Sequence, residues 1–118
     1  MNIRIVEEAE FSATVTERLA GLTGYDFVTG PGRSGAIAAV YASHFLGIPF
    51  IPYKASCPGR PLIVDTACLT GRTIRKASKV YGGADFIAFY QQPERVKFWY
   101  ERLSLVRGRG NEYRRVAA

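Results

Sequence analysis

The stretch Arg60–Ile74 constrains the fold more than any other, because it joins a buried strand, a loop of glycine and hydroxyls, and a helix start in one short run. Leu62-Ile63-Val64 is an unbroken apolar run of the kind that a strand covered on both faces needs. Pro61 opens it, and Asp65 closes it with a carboxylate at the strand's C-terminal edge. In Thr70-Gly71-Arg72-Thr73 the glycine permits a close turn. Two hydroxyls and the unpaired N–H groups of a starting helix then face whatever occupies the loop, and an anion suits them best.

The rest of the chain arranges itself around that unit. Ile3–Val6 reads as a short strand, and Thr14-Val15-Thr16-Glu17 as a capping box ahead of a helix that stops near Gly24. Tyr25–Thr29 is a strand, Gly30-Pro31-Gly32-Arg33-Ser34-Gly35 a loop, and Ala36–Leu46 a helix ended by Gly47. Ile48–Tyr53 is a strand, Lys54–Arg60 a short polar connector, and Thr73–Val80 a helix ended by Gly82-Gly83. Asp85–Tyr90 is a strand stopped by Gln91-Gln92-Pro93. Val96–Tyr100 reads as a last strand, with the start of a helix running through Leu105 as the alternative, and residues 106–118 as a flexible basic tail. This order predicts an α/β fold: a mostly parallel twisted sheet with helices on both faces, three-layered and Rossmann-like. At 118 residues the chain is expected to form one domain.

Charge is unevenly spread. The chain has 16 Lys and Arg against 10 Asp and Glu, yet between Asp26 and Asp85 the only acid is Asp65. The middle of the chain thus offers an electropositive surface with one carboxylate set in it, which suits a polyanionic ligand. Cys57 and Cys68 are the only cysteines and suggest neither a disulfide framework nor a metal cluster, so a reduced cytoplasmic setting is expected. The chain has no run of about 18 apolar residues, and no membrane span is expected.

Both glycine-containing loops follow a strand and precede a helix, so in a parallel sheet they open on the same edge. Gly30–Gly35 lacks the lysine of a Walker A loop and fits the dinucleotide pattern poorly, so alone it reads more readily as a turn. Together with Leu62-Ile63-Val64-Asp65-Thr66-Ala67-Cys68-Leu69-Thr70-Gly71-Arg72-Thr73 it resembles the type I phosphoribosyltransferases, most closely the orotate-type members. The resemblance runs from about Tyr25 to Tyr90.

The resemblance implies a site. Ala67, Cys68, Leu69, Thr70, Gly71, Arg72 and Thr73 would surround the ribose 5-phosphate of phosphoribosyl pyrophosphate, and Thr66 would give a neutral hydroxyl contact to the ribose. Asp65 would act as the catalytic carboxylate, take a ribose hydroxyl and help to hold Mg²⁺, while Pro31, Gly32, Arg33, Ser34 and Lys54 would hold the pyrophosphate. Three positions depart from the family pattern. Thr66 stands where a second acid is usual, Leu69 where many purine-specific members carry an acid, and the connector Lys54–Arg60 is short. The resemblance therefore implies transfer to a pyrimidine-like base rather than a purine. The alternative is a protein that keeps the cradles and binds or senses a phosphorylated sugar or nucleotide without turnover.

Other residues take plainer readings. His44 lies in mid-helix and is expected to pack or face solvent. Cys68 has no histidine nearby in sequence and is not expected to be a nucleophile. Phe98, Trp99 and Tyr100 are expected to complete the core or a homodimer contact. The basic end reads as a solvated tail, and no nucleic-acid partner is expected.

Overall fold

Phe11, Val15 and Leu19 recur at four-residue spacing and all are buried, the apolar stripe of an amphipathic helix. In the computed structural model, which describes residues 3–91 and 96–101, that stripe belongs to a helix over Glu8–Leu19. The elements in chain order are β1 (Arg4–Val6), α1 (Glu8–Leu19), β2 (Phe27–Thr29), α2 (Gly32–Leu46), β3 (Pro61–Cys68), α3 (Arg72–Val80), β4 (Asp85–Gln91) and β5 (Val96–Phe98). A turn of 3-10 helix follows at Trp99–Glu101. No helix among the described residues is long and apolar enough to cross a membrane.

The described residues form two compact units, those of Met1–Phe11 with Glu94–Ala118, and those of Ser12–Pro93. In the first, β1 and β5 pair in parallel with Val6 opposite Phe98. Phe98 is buried and meets Phe11 edge-on at 5.7 Å, so this aromatic completes a small core, one of the two roles expected for it. The expected strand stops at Phe98, where the backbone N–H donates to the Glu101 carboxylate at 3.0 Å and the chain turns into the 3-10 helix.

The second unit holds a parallel sheet in the order β2-β3-β4. Val28 has Leu62 on one side and Phe50 on the other, so Phe50 bridges the outer edge of β2. The expected strand Ile48–Tyr53 shrinks to this one bridge, because Pro49 and Pro52 have no N–H to donate to a longer ladder. From β2 the chain crosses through α2 toward Phe50, and from β3 through α3 to β4, in opposite directions. Right-handed crossovers then set α2 and α3 on opposite faces, giving the expected three layers. Ala38, Ala39 and Ala42 let α2 lie close on β2 and β3. Ile63 and Ala88 pack with Ile74 and Ala77 of α3.

Other boundaries moved for local reasons. The helix expected after Thr14 starts at Glu8, with Glu8 and Glu10 at its positive end. Thr16 lies inside it and donates to the Ser12 carbonyl instead of capping. The strand β3 runs three residues past Asp65, which is therefore inside the strand rather than at its end. The loop expected over Gly30–Gly35 is mostly helix, since α2 starts at Gly32 and the Gly35 N–H donates to the Pro31 carbonyl at 3.1 Å. Residues 102–118, with the expected tail, lie outside the described residues.

Candidate functional site

The C-terminal ends of β2 and β3 meet where the two crossovers diverge, the place in an open α/β sheet where a crevice forms. Gly30 follows β2 and is buried. A β-carbon on it would strike the Gly35 carbonyl and fall 2.5 Å from the Val64 carbonyl oxygen. Only glycine allows this approach, and it draws the first loop onto the residue preceding Asp65. Pro31 then stands at the N-cap of α2, and Gly32, Arg33 and Ser34 form the helix's first turn, with Gly32 and Arg33 exposed.

The second loop is Leu69-Thr70-Gly71, between β3 and α3. Leu69 and Thr70 are exposed, whereas Gly71 is buried with φ of 77° and begins α3 from a left-handed conformation. No side chain of the N-cap residue caps either α2 or α3, and neither helix carries an acid in its first turn. Thr70 offers partial compensation, its Oγ accepting the Arg72 N–H at 3.2 Å. The Thr70 O–H remains a donor. Thr73 lies exposed in the same first turn. Two helix starts without acidic partners on neighbouring strands form a surface suited to anions.

Asp65 is 8% exposed, and its Oδ1 accepts the Thr66 N–H at 2.8 Å. Burial raises its carboxyl above the ordinary range, and the Thr66 hydrogen bond lowers it by a smaller amount. Such a carboxylate gains from any cation brought to it. Thr66 is buried beside it, and Ala67 and Cys68 finish β3 half-buried. Cys68, Leu69, Thr70 and Gly71 line one side of a cavity of about 420 Å³ whose other walls include Arg75, Phe86 and Gln91.

Thirteen of the fourteen expected site residues thus lie in or beside the two loops, and Lys54 does not. Its backbone N–H donates to the Tyr81 hydroxyl at 2.7 Å, past the far end of α3. That end is about 14 Å along the helix from Arg72 by helical rise. Lys54 also has φ of 74°, the only positive value outside glycine among the described residues. It lines a separate cavity of about 490 Å³ with Cys57 and Tyr81. His44 is exposed and borders a groove of about 550 Å³ between Val15 of α1 and Phe45 of α2.

Two residues near the site escaped sequence reasoning. Thr29, the last residue of β2, is fully buried with no hydrogen-bond partner for its hydroxyl. Arg75 extends its guanidinium back over Gly71. Helical side chains lean toward the N-terminus, so the residue four positions after Gly71 was the available signal.

No protein-family model and no curated protein sequence matches the chain. Among solved structures, the Helicobacter pylori xanthine-guanine-hypoxanthine phosphoribosyltransferase is similar with a TM-score of 0.60 at 14% identity, over 92% of this chain and 99% of that one. An adenine phosphoribosyltransferase from Thermoanaerobacter pseudethanolicus is similar with a TM-score of 0.45 at 14% identity, over 70% of this chain and 81% of that one. The first likeness shows that this chain has the phosphoribosyltransferase fold.

Proposed function

We propose that the chain binds phosphoribosyl pyrophosphate across its two loops and transfers the ribose 5-phosphate to a nitrogenous base. One observation carries this reading: two helix starts without acidic partners follow neighbouring parallel strands at one edge of the sheet, and the first is held at Gly30 against Val64, the residue before Asp65, the only acid between Asp26 and Asp85. The Thr70–Thr73 segment takes the 5-phosphate through hydroxyls and helix N–H groups, and Pro31–Ser34 takes the pyrophosphate. The base nitrogen bonds to the ribose carbon as that carbon's bond to the pyrophosphate oxygen breaks; pyrophosphate leaves with the electron pair, and the proton of the base nitrogen passes to solvent. Holding both phosphates in line lowers the barrier chiefly by positioning, while Asp65 stabilises positive charge developing on the ribose.

Among the described residues no three of His, Cys, Asp and Glu gather as a metal group. Mg²⁺ is commonly held by one or two carboxylates together with substrate phosphates, a donor set to which Asp65 contributes. A buried carboxylate with a raised pKa is stabilised by such an ion. The ion would neutralise phosphate charge.

Leu69 supports a pyrimidine-like acceptor, because an exposed leucine offers no carboxylate to a purine. The fold neighbour is named for xanthine, guanine and hypoxanthine, so both classes of base belong in the assay. Thr66 in place of a second acid favours the other reading, a binder without turnover. Incubation with phosphoribosyl pyrophosphate, Mg²⁺ and a panel of bases separates the two. Pyrophosphate release with orotate or uracil supports the enzyme, whereas calorimetric binding without release with any base leaves the binder.

A further inference from the structure

The first turn of α3 reverses the usual electrostatics of a helix start. Acids are favoured there because the N-terminus carries about half a positive charge, yet this turn holds Arg72 and Arg75 and no acid. Arg75 does not extend into solvent away from that pole. A β-carbon on the buried Gly71 would lie 2.6 Å from Arg75 Nη1 and 3.5 Å from its Cζ, so the guanidinium lies against the loop itself. Among the described residues it makes no ion pair or hydrogen bond. A cation is thus folded onto the positive end of a helix with no anion between them. A single dianionic group placed there satisfies both.

We propose that Arg75 is a further anion-binding residue, closing its guanidinium over a phosphate monoester seated on the Thr70–Thr73 loop. This rests on the reading of that loop as a phosphate site. The planar fork of arginine suits two phosphate oxygens at once, while the threonine hydroxyls and helix N–H groups take the remaining acceptors. The adjoining cavity of about 420 Å³, walled by Arg75, Phe86 and Gln91, gives the side chain room to move as a phosphate arrives. Affinity should rise between pH 5 and 7, as the monoester takes its second charge near pH 6.

The test is calorimetric titration of ribose 5-phosphate into the wild-type protein and into Arg75→Gln, Arg75→Lys, Lys76→Gln and Thr70→Ala. Lys76 is exposed on the same helix and serves as a control for charge alone. Arg75→Gln is expected to weaken binding about tenfold or more and to flatten the rise with pH. Arg75→Lys should recover part of the loss, and Lys76→Gln should stay within about twofold of wild type, as screened exposed charges do. Equal affinity in wild type and Arg75→Gln, with Thr70→Ala weakened, overturns the role of Arg75 and leaves the loop as the site. Equal losses in Arg75→Gln and Lys76→Gln overturn it too. Absence of binding to the wild type overturns the phosphate site and this role together.

Discussion

Gly30 lies against Val64 so closely that a β-carbon on it would fall 2.5 Å from the Val64 carbonyl oxygen. Through this contact the end of β2 is fixed beside Asp65, and the two loops share one edge of the sheet. Gly30→Ala should therefore force the first loop away from β3 and destabilise the fold by about 1–3 kcal/mol. Urea unfolding measures the loss. A variant as stable as wild type would show that the contact does not hold the first loop against β3.

Asp65→Asn should change stability in a pH-dependent way. Burial raises the folded carboxyl above its ordinary value, so the folded state holds the proton more tightly than the unfolded chain does. The stability linked to that proton is fully present below the unfolded value of about 3.9 and is lost as pH rises through the folded value. Asparagine keeps an acceptor for the Thr66 N–H and carries no charge. The variant should melt higher than wild type at pH 7, with the gap closing toward pH 4, while sugar phosphate binding is lost. Thermal melts across that range check both signs.

Thr29→Val should stabilise the protein. The hydroxyl is fully buried without a partner, and valine keeps the shape without the unpaired polar group. A gain of about 1 kcal/mol in urea unfolding is expected. A loss of that size would mean that the hydroxyl has a bound partner, such as a water, that valine displaces.

Away from the site, the Tyr25 hydroxyl donates to Asp85 at 2.7 Å and Arg60 pairs with the same oxygen at 2.8 Å. These residues tie together the starts of β2, β3 and β4. The Tyr25 hydrogen bond, and after it the Arg60 charge, hold the Asp85 carboxyl below its ordinary value. Its contribution is present above the unfolded value of about 3.9 and is lost as pH falls through the folded one. Tyr25→Phe should move the Asp85 titration upward, which NMR of the carboxyl carbon reads directly.

The sheet and its two following helices were legible because apolar runs such as Leu62-Ile63-Val64 are bounded by strong breakers such as Gly71 and Gly82-Gly83. The start of α1 was obscured by Thr14-Val15-Thr16-Glu17, which matches a cap locally, whereas the Phe11 spacing that decides the matter is satisfied only by tertiary burial. Gly32 and Gly35 read as loop residues, yet Gly35 is glycine so that α2 can pack on Gly30 and Pro31. That the two loops open on one edge of the sheet was legible because chain order in a parallel sheet fixes that edge. The placement of Lys54 was not legible by the same logic. Its expected strand is only a bridge at Phe50, and the connector beyond turns toward Tyr81.

The claim that both loops serve one ligand is tested most directly by following backbone amide signals while phosphoribosyl pyrophosphate and Mg²⁺ are added. Gly32, Arg33 and Ser34 should shift together with Thr70, Gly71 and Thr73, at one shared midpoint, and Asp65→Ala should abolish both sets of shifts. Shifts confined to one loop, or two different midpoints, would contradict it.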